Sequence, residues 1–116
     1  MAQNKQHGDY GENLATEFLT QKGLKIIKTN FRCFAGEIDI ICRDGSYTVF
    51  VEVKLRRGLG KGYPREAVGY GKQQKIRKAA MSFLTFYDMW QTDIRFDVIE
   101  ILHMDTVTIE HIENAF

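Results

Sequence analysis

Apolar residues in GDYGENLATEFLTQKG, positions 8–23, fall at Leu14, Ala15, Phe18 and Leu19, and this spacing predicts a helix that Gly23 closes. At about 100° per residue the four sweep an arc of about 140°, which leaves Glu12 at its margin beside Leu19 and turns Glu17 to solvent. The period then shortens to two. KIIKTNFR reads as a strand, and EIDIIC and YTVFVEVKL read as the arms of a hairpin around Asp44-Gly45. Residues 57–64, RGLGKGYP, hold three glycines and the only proline and predict a loop. A second helix is predicted from about 65 to 88, interrupted near Gly69 and Gly71. It places Ile76, Ala80, Phe83 and Tyr87 on a core face and Lys72, Lys75 and Lys78 on a separate basic stripe. IRFDVIEIL and TVTIEHI read as two strands joined at Asp105-Thr106. The order αβββαββ, with no repeat or linker, predicts one α/β domain over residues 1–116, a central mixed sheet flanked by helices.

The hairpin carries charge where its strands are otherwise apolar. Alternation puts Glu37 and Asp39 on one face against Ile38, Ile40 and Cys42, and puts Phe50, Glu52 and Lys54 opposite Val49, Val51 and Val53. With the turn centred on Asp44-Gly45, residue 39 faces 50 and 37 faces 52, so Asp39 and Glu52 become diagonal neighbours within reach of one shared ion. One reading is a cross-strand salt bridge in which Lys54 neutralises Glu52 or Glu37. The other is chemical. Asp39, Glu52 and Lys54 offer two hard-oxygen ligands for a divalent cation beside an ammonium that orients water or offsets charge on a phosphorane.

Composition sharpens the second reading. With 116 residues, 44% hydrophobic and 27% charged, the chain is globular rather than disordered. The formal charge of +1 conceals an asymmetry, for residues 54–78 carry nine Lys and Arg against one acid, Glu66, while residues 93–116 carry six acids against Arg95. The basic segment begins at Lys54 itself, so a polyanion drawn to it is delivered to the paired acids. Cys33 and Cys42 lack metal-site or disulfide spacing and read as reduced thiols. Without an apolar run of about 18 residues or a signal-peptide pattern, the expectation is a cytoplasmic protein with no membrane contact. His7, His103 and His111 are scattered and read as structural. The glycine-rich loop either cradles a phosphate or orders only on substrate, and Tyr63 and Tyr70 either stack on bases or pack at helix edges. Phe86 and Trp90 are expected to close the core.

Several stretches together resemble a known group. Gly36-Glu37-Ile38-Asp39, Phe50-Val51-Glu52-Val53-Lys54, Arg95-Phe96-Asp97-Val98, the terminal Asn114-Ala115-Phe116 and GENLA in the first helix resemble the YraN family of small bacterial proteins. That family is similar in turn to archaeal Holliday junction resolvases and to the PD-(D/E)xK nuclease superfamily. The resemblance implies a restriction-endonuclease-like fold and Mg²⁺- or Mn²⁺-dependent hydrolysis of phosphodiester bonds in nucleic acid, branched or structured DNA in particular. It makes Asp39 the motif's first acid, with Ile38 where the superfamily has proline, and makes Glu52 and Lys54 the second acid and the lysine. Glu12 resembles the first-helix glutamate that completes the metal site. On this reading Asp39, Glu52 and the Val53 carbonyl hold the metal with Glu12, and Lys54 positions the attacking water. Arg56, Arg57, Lys61, Lys72 and Lys75 grip phosphates. Glu37 is either a further ligand or a partner of Arg56 or Lys54. The resemblance leaves a homodimer open. The rival reading is a non-catalytic module on the same fold that binds nucleic acid or a protein partner.

Overall fold

The predicted order of helices and strands stands in a computed structural model, which describes residues 2–57 and 68–116, with side chains for 10–56 and 68–116. Its elements are α1 (Ala2–Gln21), β1 (Lys25–Cys33), β2 (Gly36–Asp44), β3 (Tyr47–Arg57), α2 (Tyr70–Phe86), β4 (Asp93–His103) and β5 (Val107–Ile112). The five strands form one mixed sheet in sequence order. β1, β2 and β3 form an antiparallel meander, β3 and β4 run parallel from Tyr47↔Asp93 to Arg57↔His103, and β5 returns antiparallel. The parallel pair requires a crossover, and α2 lies in it.

The two helices bury opposite faces. Ala15 and Leu19 of α1 pack with Ile40, Cys42, Val49, Val51, Ile99 and Ile101. Ile76, Ala80, Phe83 and Leu84 of α2 pack with Ile38, Ile41, Phe50, Phe96 and Val98. β3 and β4 are thereby covered on both sides, which is why their sequences are nearly continuous apolar runs. Cys42 is buried and Cys33 partly so, and both are free thiols. Among the described residues no helix is long and apolar enough to cross a membrane.

Several expectations are corrected. α1 starts at Ala2 rather than near residue 8. α2 starts at Tyr70 with Gly69 as its N-cap, so the glycine marks a boundary and not an interruption. Most of the loop predicted at 57–64, and residues 65–67 of the predicted helix, lie outside the described residues. Phe86 and Trp90 do not close the core, being 77% and 51% exposed, because α2 ends at Phe86 and its inward face is completed by Phe83 and Leu84. Tyr87 caps the helix as a partly exposed residue.

The hairpin register also differs from expectation, by two residues. Asp44 pairs with Tyr47, leaving Gly45 and Ser46 as the turn, and Gly45 supplies the positive φ of 61° that the first central position of such a turn requires. Ile41 therefore faces Phe50, and Asp39 comes abreast of Glu52 rather than diagonal to it. Strict alternation fails at the same point. Ile38 joins Ile41 on the α2 face while Ile40 and Cys42 face α1. The β2–β3 ladder stops at Ile40↔Val51, and Asp39 lies just beyond it.

Candidate active site

Where the ladder stops, a side chain takes over. The Val53 N–H donates to Asp39 Oδ2 at 2.8 Å, so the carboxylate occupies the place of a backbone acceptor and is fixed against β3. Glu52 is one residue before that N–H and is 5% exposed. Two ammonium groups converge on its Oε2, Lys72 Nζ at 2.5 Å from the first turn of α2 and Lys54 Nζ at 3.5 Å from its own strand. The residues surround an open cleft of about 450 Å³ lined by Gly36, Glu37, Asp39, Glu52, Gly71, Lys72, Lys75 and Ile76.

The two acids sit in unequal surroundings. Burial, then the neighbouring charge of Glu52, pushes the Asp39 carboxyl from 3.8 up to about 7, against the opposing Val53 hydrogen bond. The lysines neutralise Glu52. Burial alone lowers the Lys72 ammonium, but the hydrogen bond and charge of Glu52 outweigh it and leave Lys72 above its ordinary value. A carboxyl raised this far beside a second carboxylate in a cleft makes the pair a candidate functional site.

The remaining predicted residues are distributed around this pair. Lys75 borders the cleft and is exposed, its stem packed against Gly36. Glu37 pairs with Arg32 at 3.3 Å across the β1–β2 hairpin, not with Arg56 or Lys54. Arg56 Nε donates to Glu100 Oε1 at 2.7 Å, a partner the sequence does not suggest. Glu100 is the β4 register neighbour of Lys54, is 1% exposed, and has burial and Glu110 raising its carboxyl against the effect of Arg56. Glu12 follows Gly11, which packs on Val53 and Leu55, and its Oε1 accepts from Asn30 Nδ2 at 2.9 Å. Among the described residues no three acidic, histidine or cysteine side chains gather as a ready metal cage, so Asp39 and Glu52 stand as a pair. Tyr70 is exposed, and the Arg57 side chain, Lys61 and Tyr63 lie outside the described residues.

A second charged cluster lies at the other end of β4. Buried Asp97 accepts from Arg95 Nε and Nη2, both at 2.9 Å, and from the Asn114 N–H at 3.0 Å. His111 Nε2 is 2.7 Å from the same carboxylate, and Lys22 Nζ is 2.7 Å from His111 Nδ1. Burial raises the Asp97 carboxyl, but the bonds from His111, Arg95 and Asn114 prevail and hold it below its ordinary value. The chain end is tied down alongside. Ala115 N–H donates to the Phe96 carbonyl at 2.7 Å, Phe116 stacks on Phe96 at 5.3 Å, and the Arg77 guanidinium covers both rings. RFDV and NAF are thus one structural clasp, and His111 is structural as expected.

Comparison with known proteins gives the family. Residues 11–101 match the family described as "Uncharacterised protein family UPF0102". A UPF0102 protein of Rhodococcus opacus (strain B4) is 45% identical over 118 residues, covering 100% of both chains. One of Geobacter sulfurreducens is 50% identical over 115 residues, covering 97% of this chain and 90% of its own. One of Clostridioides difficile (strain 630) is 43% identical, covering 97% and 98%. The match runs through α1, the hairpin that holds Asp39 and Glu52, α2 and most of β4, and the chain belongs to the UPF0102 (YraN) family.

Proposed function

We propose that this protein is a metal-dependent nuclease on a restriction-endonuclease-like fold, hydrolysing phosphodiester bonds in nucleic acid, with branched or structured DNA as the substrate its resemblance favours. The observation that carries the reading is the meeting of Asp39, Glu52 and Lys72 in one open cleft, with Lys54 on Glu52 from its own strand and Asp39 raised to about 7 by burial and by Glu52. Two carboxylates that repel each other fit a hard divalent cation. Mg²⁺ binds through one or two carboxylates and completes its shell with waters and substrate phosphate, so the Asp39 and Glu52 pair suits it. Asp39 and Glu52 would hold the ion with the Val53 carbonyl as a further oxygen, whereas Glu12, the ligand the resemblance implies, is hydrogen-bonded to Asn30. When bound, the ion supplies Lewis acidity toward a phosphoryl oxygen and lowers the pKa of its water.

The chain's own groups do the rest. Asp39 is oriented by the Val53 N–H, which fixes one carboxylate oxygen at the edge of the cleft beside Glu52. Lys54, on the strand beside Glu52, holds an ammonium where it orients an attacking water and offsets negative charge on the phosphorane. Lys75 at the cleft rim and the basic segment that follows Lys54 attract the phosphate backbone.

The test incubates pure protein with four-way junction, flap, duplex and single-stranded substrates, with Mg²⁺, Mn²⁺ or EDTA. Cleavage that needs metal and is abolished by Lys54→Ala, with metal binding and most DNA affinity retained, is the expected result. Tight binding without cleavage of any substrate, with Lys54→Ala changing stability alone, would establish the non-catalytic binding module instead.

A further inference from the structure

Glu52 has two cationic partners where one would neutralise it. Lys54 belongs to the same strand and is mostly buried, whereas Lys72 comes from α2, is 48% exposed, and folds back to reach Glu52 Oε2 at 2.5 Å. That contact occupies Oε2, one of the two oxygens through which Glu52 could bind a divalent cation. A cation seated there beside the Lys72 ammonium would meet like charge at a few ångströms in a partly desolvated cleft. Of the two ammonium groups on Glu52, the closer and more exposed one, Lys72, is the one whose departure relieves that repulsion. Solvent is a poor destination compared with a phosphate, and space for one exists next to Lys72, because Gly71 lines the cleft and an added Cβ there would meet nothing within 4 Å.

We infer that Lys72 is an exchangeable counter-ion of Glu52, which moves to a backbone phosphate of bound nucleic acid as a divalent cation takes its place, so that metal and nucleic acid bind with positive linkage. The inference rests on the reading of Asp39 and Glu52 as a metal site. It explains why two acids suffice, since the phosphate that draws Lys72 away can also complete the ion's oxygen shell. It also requires reciprocity, for metal must tighten nucleic-acid binding by the factor by which nucleic acid tightens metal binding. The hydrolytic site would be assembled on substrate rather than held loaded in advance.

The experiment has two arms. Mn²⁺ binding to the DNA-free protein is followed by the loss of free-ion electron paramagnetic resonance signal for wild type, Lys72→Ala, Lys72→Gln, Lys72→Arg and Asp39→Asn. Binding of a labelled four-way junction is followed by fluorescence anisotropy with and without Ca²⁺ at matched ionic strength, with the junction checked intact on a gel. Lys72→Ala and Lys72→Gln are expected to bind Mn²⁺ about tenfold more tightly than wild type, within the usual range of coupling between sites. The factor by which Ca²⁺ tightens junction binding should fall toward one in both, while Lys72→Arg retains it. Unchanged or weaker Mn²⁺ binding in both neutral variants, with Asp39→Asn still abolishing it, overturns the exchange and leaves the metal site standing. Equal Mn²⁺ binding in wild type and Asp39→Asn overturns the metal site and the exchange together.

Discussion

Asp39→Asn should make the metal-free protein more stable at neutral and alkaline pH, and the structure sets the size of the effect. In the unfolded chain this carboxyl titrates near 3.8, and in the folded state near 7. Between those values the native protein holds a proton that the unfolded chain has released. Stability is therefore full below about pH 4, falls as pH rises toward 7 with a slope of about 1.4 kcal/mol per unit, and is level beyond. The interval integrates to about 4 kcal/mol, and compaction of the unfolded chain reduces what is observed to about 2–4 kcal/mol. Asparagine carries no charge to lose, and its side-chain oxygen still accepts from the Val53 N–H.

Urea unfolding of wild type and variant in EDTA, from pH 4.5 to pH 8.5, measures the difference directly. The two curves should differ by no more than about 1 kcal/mol at the acid end and separate steadily until about pH 7. By then the variant is ahead by about 2 kcal/mol or more, which for a domain of this size is a melting temperature higher by roughly 10 °C. Mg²⁺ or Mn²⁺ should narrow the gap by stabilising wild type alone, and more at pH 8 than at pH 5.5, where the proton competes for Asp39. Parallel stability curves across the range, or a variant weaker than wild type at pH 8, would show that Asp39 is an ordinary ionised carboxylate and remove the electrostatic argument for the site.

Two further outcomes test the surroundings. Lys75→Ala should weaken binding to every DNA sequence similarly and flatten the dependence of log K on log salt by about one unit, and a binding curve insensitive to the change would move the phosphate track away from the cleft rim. Asp97→Ala should destabilise the fold by about 3 kcal/mol without altering the Mn²⁺ response of the folded protein, because it strips buried His111 and largely buried Arg95 of their shared anion while Asp44 still reaches Arg95 at 3.0 Å. A loss under about 1 kcal/mol by urea titration would contradict that role.

The alternation of KIIKTNFR, EIDIIC and YTVFVEVKL, and the helical spacing of Leu14 to Leu19, were enough to order the elements, because each pattern is local and its period is set by one element's own geometry. The approach of Asp39 to Glu52 was legible for a weaker reason. Asp44-Gly45 marks the turn, but the positive φ falls at Gly45 as first central residue, so the register moved by two and the acids came abreast. What the sequence did not show depends on elements that meet only after the crossover. Lys72 reads as one member of a basic stripe, and nothing local says that α2 begins at Tyr70 and brings Lys72 in its first turn to Glu52 of β3. Arg56 reads as a phosphate ligand until the parallel β3–β4 register brings Glu100 beside it. A usable signal existed for the clasp, since Arg95 and Asp97 lie two apart on one strand face, the spacing at which a guanidinium can fold onto a carboxylate.

Buried acids recur in this chain, and the direction in which burial leaves them separates two kinds of site. Asp97 and Asp39 are both removed from water, and in each the loss of solvation is the largest single influence and favours the protonated form. At Asp97 the fold returns more than water gave, through the Arg95 fork, His111 and the Asn114 N–H, and the carboxyl ends below its ordinary value. Its stabilisation is present above about pH 4 and is lost as pH falls, which is how a carboxylate holds a structure together. At Asp39 the fold supplies one N–H and sets a second carboxylate alongside, so the stabilisation is lost in the opposite direction, as pH rises toward 7. A chain selected for stability alone would gain by replacing the acid at position 39 and would lose by replacing the one at 97. Retaining an acid whose ionisation weakens the fold requires a compensating use for its charge. On the proposed function, the open cleft, the Lys72 ammonium and the basic segment beginning at Lys54 supply that use in the joint binding of a cation and a polyanion.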